Sequence, residues 1–250
     1  MVKKRLFSII LLLFISFSLF SQTKVVVIDA GHGGKDPGAQ GRFANEKDIT
    51  LAIALKVGEY LEKNVKNVKV IYTRKTDVFV PLHKRAEIAN KNNADLFVSI
   101  HVNATNNSNV NGSETFVMGL HKSEDNLNVA VAENSVILME KDYKDKYNNF
   151  DPKSPEAYII LNLYQNEYLN MSLDLANKLQ YQFKERARRK DLGIKQAGFL
   201  VLWQTTMPSV LIETGFITNR SEEVYLSSEY GQEIIASAIY RAIRDYLNEN

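Results

Sequence analysis

The chain contains no cysteine in 250 residues. That excludes disulfides, a lipid anchor on cysteine and every thiol nucleophile. Stability must come from a hydrophobic core, aided at most by a metal. An excess of one charge is also missing, with 31 Lys and Arg against 29 Asp and Glu. Three of the bases, Lys3, Lys4 and Arg5, precede an apolar run at the amino terminus. The remainder is near neutral and offers no electrostatic case for nucleic acid. Neither a GxGxxG pattern nor a P-loop is present, which argues against a nucleotide cradle. No internal repeat or low-complexity linker interrupts the chain, so one domain is expected.

Long apolar runs are scarce too. The run Leu6–Phe20 follows the basic start MVKKR. At about 15 residues it is short for a membrane span, which needs roughly 20, and fits a secretory signal. Residues 1–21 are therefore expected to be a signal peptide cleaved after Ser21, leaving 22–250 as a single domain with no stable membrane span. An uncleaved anchor is the alternative. Export follows, to the periplasm or the extracellular space.

From Lys24 onward, strand and helix patterns alternate. Lys24–Asp29, Val68–Thr73, Asp95–His101 and Pro208–Glu213 read as buried strands, as does Phe199–Leu202. Gly112–Met118 alternates as an edge or antiparallel strand would. Helices are expected over Ile49–Asn64, with Asp48 as N-cap, and over Pro81–Asn92, Ser172–Lys190 and Gly231–Leu247. Gly193 and Gly198 read as loop punctuation. Apolar strands interleaved with helices predict an α/β fold: a mainly parallel sheet with helices on both faces. The rhythm fails over about 120–170, a stretch too long for an ordinary connection. Its helix-like pieces, Leu127–Asp142 and Ala157–Leu169, read as an insertion that is a lid, a regulatory element or extra packing.

In such sheets, functional groups gather at the carboxyl ends of strands. His32 follows VVVIDA, His101 closes DLFVSI and Glu213 closes PSVLI. Glu46, in NEKD, lies on the connection that begins with His32. Two imidazoles and a carboxylate are a familiar ligand set for catalytic zinc, and a further glutamate can take a proton from water. Taken singly, each has a plainer reading: a structural histidine, a helix-start charge, a turn cap. The conjunction carries the argument. Gly31, Gly33 and Gly34 give His32 room to approach a ligand. His83 and His121 lack this strand context and are expected to face solvent, His121 being the better functional candidate of the two. Asp29 either orients His32 or closes the strand as a turn residue.

The segments VVVIDAGHGGKDPGAQG, NEKD, YTRKTD, LHKRAEIANKNNADLFVSIHVNA, GSETFVMG and MPSVLIETGFITN occur in the order found in zinc-dependent N-acetylmuramoyl-L-alanine amidases, the AmiC-like cell-wall hydrolases. The chain resembles that family from about residue 24 to 247. The resemblance implies a zinc-exopeptidase-like three-layer sandwich. It also implies one zinc ion on His32, Glu46 and His101, with Glu213 as the catalytic glutamate. The implied substrate is peptidoglycan, cut between the lactyl group of N-acetylmuramic acid and L-alanine of the stem peptide. Some of these enzymes carry an autoinhibitory helix in the place of the 120–170 insertion, which makes Glu133 or Glu140 a candidate to occupy the zinc and an activator protein a candidate partner. Arg74 and Arg85 match family positions and either meet stem-peptide carboxylates or pair internally, the latter being favoured. Trp203 departs from the family pattern, where arginine is usual. The competing functions are a general zinc peptidase and a wall-binding protein with a dead site.

Overall fold

A computed structural model describes residues 23–162 and 167–249. The expected signal peptide at 1–21 lies outside the described residues. Among those described, no helix is long and apolar enough to cross a membrane.

Six strands form one sheet: β1 (Lys24–Ala30), β2 (Val68–Tyr72), β3 (Leu96–Asn103), β4 (Ser113–Met118), β5 (Asp191–Ala197) and β6 (Ser209–Phe216). Their spatial order is β2-β1-β3-β6-β4-β5. All neighbouring pairs are parallel except β4 with β6. Because side chains alternate along a strand, each strand contributes to two cores. Val26, Ile28, Val98, Ile100, Val210 and Ile212 meet α1 (Glu46–Asn64), α6 (Leu169–Glu185) and α9 (Glu229–Glu249) on one face. Val27, Phe97, Phe116 and Leu211 face the other layer. That layer holds α2 (Leu82–Lys91), α7 (Leu200–Trp203) and the 120–170 region. The result is the expected three-layer sandwich. The remaining helix, α8 (Arg220–Ser227), starts on Asn219, whose side chain accepts from Ser221 and Glu222 amides.

The 120–170 region folds as α3 (Glu124–Asn134), a 3₁₀ turn (Ser135–Met139), α4 (Tyr143–Lys146) and α5 (Pro155–Asn162). Ala130, Ile137, Tyr147 and Tyr158 are buried against the sheet and α7, so this region is an integral part of the second layer.

Several sequence expectations need correction. α1 begins at Glu46 on Asn45, so Asp48 lies inside the first turn and is not the N-cap. α6 stops at Glu185 because the chain enters a left-handed turn at Arg188, with the Arg189 amide bonded back to Phe183. Of the two readings of β4, the antiparallel one holds, since it pairs β6 antiparallel, but it is not an edge and lies between β6 and β5. β5 was not expected: it is half-exposed, and Gly193 sits within it at φ +84. Phe199–Leu202 is not a strand. Leu200–Trp203 forms one helical turn buried against the second core, and a short apolar run does not distinguish the two.

Candidate functional site

The site lies at the carboxyl ends of β1, β3 and β6, facing the second layer. His101 and Glu213 are register partners across β3 and β6, so their side chains share that face. β1 ends at Ala30, after which His32 adopts a left-handed φ of 61 and turns its ring back toward His101. The rings stand edge to face with centroids 4.9 Å apart. Gly31 is required by this packing, since a Cβ there would lie 2.6 Å from the His101 ring.

Glu46 enters from the first turn of α1, where the helix dipole favours a carboxylate. Its Oε1 accepts from the Val102 amide at 2.8 Å, and its Oε2 from the Ala39 amide at 2.8 Å. These bonds hold the carboxylate under both imidazoles, with Oε1 at 3.1 Å from His101 Nδ1 and Oε2 at 3.1 Å from His32 Nε2. The fourth member arrives from α3. Glu133 Oε2 lies 3.0 Å from His101 Nδ1 and 3.2 Å from His32 Nε2. Ligand atoms of His32, Glu46, His101 and Glu133 all fall within 4.8 Å of one another, a group that could hold a metal ion.

Two observations test that fit. His32 Nε2 is buried and surrounded by carboxylate oxygens, yet makes no hydrogen bond. Both Glu213 carboxylate oxygens are buried with no hydrogen-bond partner, on a side chain that is 0% exposed. Buried polar atoms are rarely left without partners, and the N and O donors here suit a zinc-type ion. The carboxylates also give the cluster a negative field that attracts positive charge. Burial disfavours charge on His101, but the Glu133 and Glu46 carboxylates overcome it and hold its pKa up at about 10. Burial, then Glu133, with lesser contributions from Glu46 and Glu114, pushes Glu213 well above the usual carboxylate range against the pull of His101.

Around the cluster, the sequence alternatives resolve. Asp29 does not touch His32. It accepts from Thr73, Ser99 and Arg85 beneath the strand end. The residue that orients His32 is Asp36, whose Oδ2 is 2.8 Å from Nδ1. Its only sequence signal was an aspartate four residues beyond the histidine in HGGKD. Arg74 and Arg85 are internal. Arg74 donates to the carbonyls of Ala30, Gly31 and Lys47, and Arg85 to those of Ala30 and His32. Together they fix the irregular backbone leaving β1. Glu140 does not reach the cluster. It accepts from the Leu82 amide at the start of α2 and from the Tyr147 hydroxyl. His83 is not solvent-facing, since its ring packs edge-on against Tyr147. His121 is half-buried and stands apart from the cluster that could hold a metal. Trp203 is half-buried beside the second core.

A family model described as N-acetylmuramoyl-L-alanine amidase matches residues 26–245. The chain belongs to the N-acetylmuramoyl-L-alanine amidase family. It is 34% identical over 235 residues to the amidase AmiA of Escherichia coli strain K12, covering 90% of this chain and 76% of the relative. The catalytic domain of CwlV, an amidase from Bacillus (Paenibacillus) polymyxa var. colistinus, superposes with a TM-score of 0.67 at 34% identity, over 91% of this chain and 99% of that one. The CwlD amidase of Clostridioides difficile, solved in complex with the GerS lipoprotein, gives a TM-score of 0.66 at 29% identity, over 91% of this chain and 100% of CwlD. These amidases share the fold across nearly the whole described chain.

Proposed function

We propose that this chain is an exported peptidoglycan hydrolase that cuts the amide between the lactyl group of N-acetylmuramic acid and the L-alanine of the stem peptide. Family membership supports the reaction. The single observation that carries the site assignment is the buried, unpartnered Glu213 carboxylate beside a His-Glu-His cluster. His32, Glu46 and His101 would hold one zinc ion. When bound there, zinc polarises a carbonyl and acidifies water. Glu213 is then the general base. It takes a proton from the attacking water as the new C–O bond forms at the lactyl carbonyl, and passes it to the alanine nitrogen as the C–N bond breaks. A carboxylate whose pKa is raised by burial holds a proton more readily than a free one, which suits both halves of that exchange.

The Glu133 carboxylate lies where a fourth ligand or substrate would sit, 3.2 Å from His32 Nε2 and 3.0 Å from His101 Nδ1. The described form is therefore read as a closed one, in which α3 blocks the site. A protein partner that draws the Glu133 end of α3 off the cluster would open it, and the GerS complex of CwlD supports a protein partner in this family. The test is release of free stem peptide from purified peptidoglycan, with zinc and with chelator, by the chain opened with Glu133→Ala and by the same opened chain carrying Glu213→Gln. Chelator-sensitive release that falls by about 10²–10⁴-fold in Glu213→Gln, with metal content retained, is the expected result. Undiminished turnover in that variant would remove Glu213 from the chemistry.

A further inference from the structure

On the site face, the row of side chains continues past Glu213. Glu114 on β4 is the direct register partner of Glu213 on β6, and Glu213 that of His101 on β3. At about 4.8 Å between strands, Glu114 stands roughly 10 Å from the His101 position. It is 1% exposed, and both of its oxygens are occupied. Oε1 accepts from Asn103 Nδ2 at 2.8 Å, and Oε2 accepts from the Lys195 ammonium on β5.

The buried Glu114 is thus a fixture that holds a cation. The Lys195 side chain is 29% exposed, and Glu114 is its only hydrogen-bond acceptor among the described residues. An ammonium has three donors, so two remain available. Arg74 and Arg85 at this end of the sheet have donors committed to Asp29 and backbone carbonyls, and Arg189 has its own committed to Glu222 and the Gly112 and Thr214 carbonyls. Glu213 in this row has no cation bonded to its carboxylate. An anionic peptide entering the row therefore needs a cation set away from the reacting bond. An extended peptide advances about 3.3 Å per residue, so roughly 10 Å spans two to three residues from the scissile amide.

Resting on the amidase reading above, we propose that Lys195, positioned by Glu114 and Asn103, binds a carboxylate on the stem-peptide residue that follows L-alanine. The site thereby favours the free acid of that residue over its amide.

The test uses two muropeptides that differ only in a carboxylate or carboxamide at that residue, cleaved by the full zinc-loaded chain carrying Glu133→Ala so that the site is open. The parent is expected to prefer the acid by about tenfold in kcat/KM, expressed in KM, the size of one charge-assisted contact. Adding Lys195→Met is expected to bring the two substrates to the same kcat/KM. Lys195→Arg is expected to restore the preference in part. A fall by one common factor on both substrates would make Lys195 structural and overturn the proposal, as would a parent with no preference. Failure of the parent to cleave either muropeptide would overturn the amidase reading, a result separate from any comparison between the two.

Discussion

Asp36 Oδ2 lies 2.8 Å from His32 Nδ1, so the imidazole presents its Nε2 to Glu46 and Glu133. A carboxylate bonded to the far nitrogen of a metal-binding histidine fixes the tautomer and the ring direction. Asp36 is itself held, since its Oδ1 accepts from the Gly38 amide at 3.1 Å. The left-handed backbone at His32 makes this contact possible within a single short loop.

Asp36→Asn is therefore expected to weaken zinc binding by about 10–100-fold while leaving the fold intact. Competition against a chromogenic chelator reads the affinity, and circular dichroism reads the fold. Unchanged affinity would show that the Arg74 and Arg85 contacts to the backbone suffice to orient His32.

Much of the site was legible because three buried strands end in polar side chains that a purely structural strand has little use for. His32, His101 and Glu213 stand out in sequence for that reason, and NEKD places Glu46 on the same connection. Asp36 was not legible, because its role depends on how a glycine-rich loop closes on itself. The choice between Glu133 and Glu140 was equally hidden. Both lie in one segment, and only its packing on the sheet sends the first to the two imidazoles and the second to the start of α2. For the fold, fully buried strands and amphipathic helices announced themselves. β5, half-exposed and interrupted by Gly193, did not, and neither did the single turn at Leu200–Trp203, which is buried too completely to show a period.

The 120–170 region is clasped at two separate places. Glu133 faces the two imidazoles, while Glu140 accepts from the Leu82 amide at 3.1 Å and from the Tyr147 hydroxyl at 2.8 Å. The second clasp resembles a helix cap, whose loss costs about 0.5–2 kcal/mol. Glu140→Ala should therefore favour the open form by up to roughly 30-fold without touching a metal-facing atom. Faster amide hydrogen exchange across α3 and α4, together with higher activity on peptidoglycan, is the expected outcome. Faster exchange with unchanged activity would separate the region from control of the site.

Beneath the site, Asp29 is 0% exposed and accepts from Thr73 Oγ1 at 2.6 Å, Ser99 Oγ at 2.6 Å and Arg85 Nη1 at 2.8 Å. Burial alone would raise its pKa, but the Arg85 charge and the two hydroxyls outweigh burial and lower it. The sign follows from linkage. With the folded value below the unfolded one, about 3.9, Asp29 contributes stability that is fully present above that pH. It is lost as pH falls through the folded value. Asp29→Asn should cost about 3–5 kcal/mol near neutrality, because it strands the buried Arg85 guanidinium. It should also flatten the decline of stability below about pH 4, since the titrating group is gone. Urea unfolding of both proteins from pH 7 down to pH 3 measures the two effects together. An acid limb equally steep in the variant would place the acid sensitivity in other carboxylates. A small loss at pH 7 would mean that Arg85 is held by the carbonyls of Val80, Ala30 and His32 without need of its counter-charge.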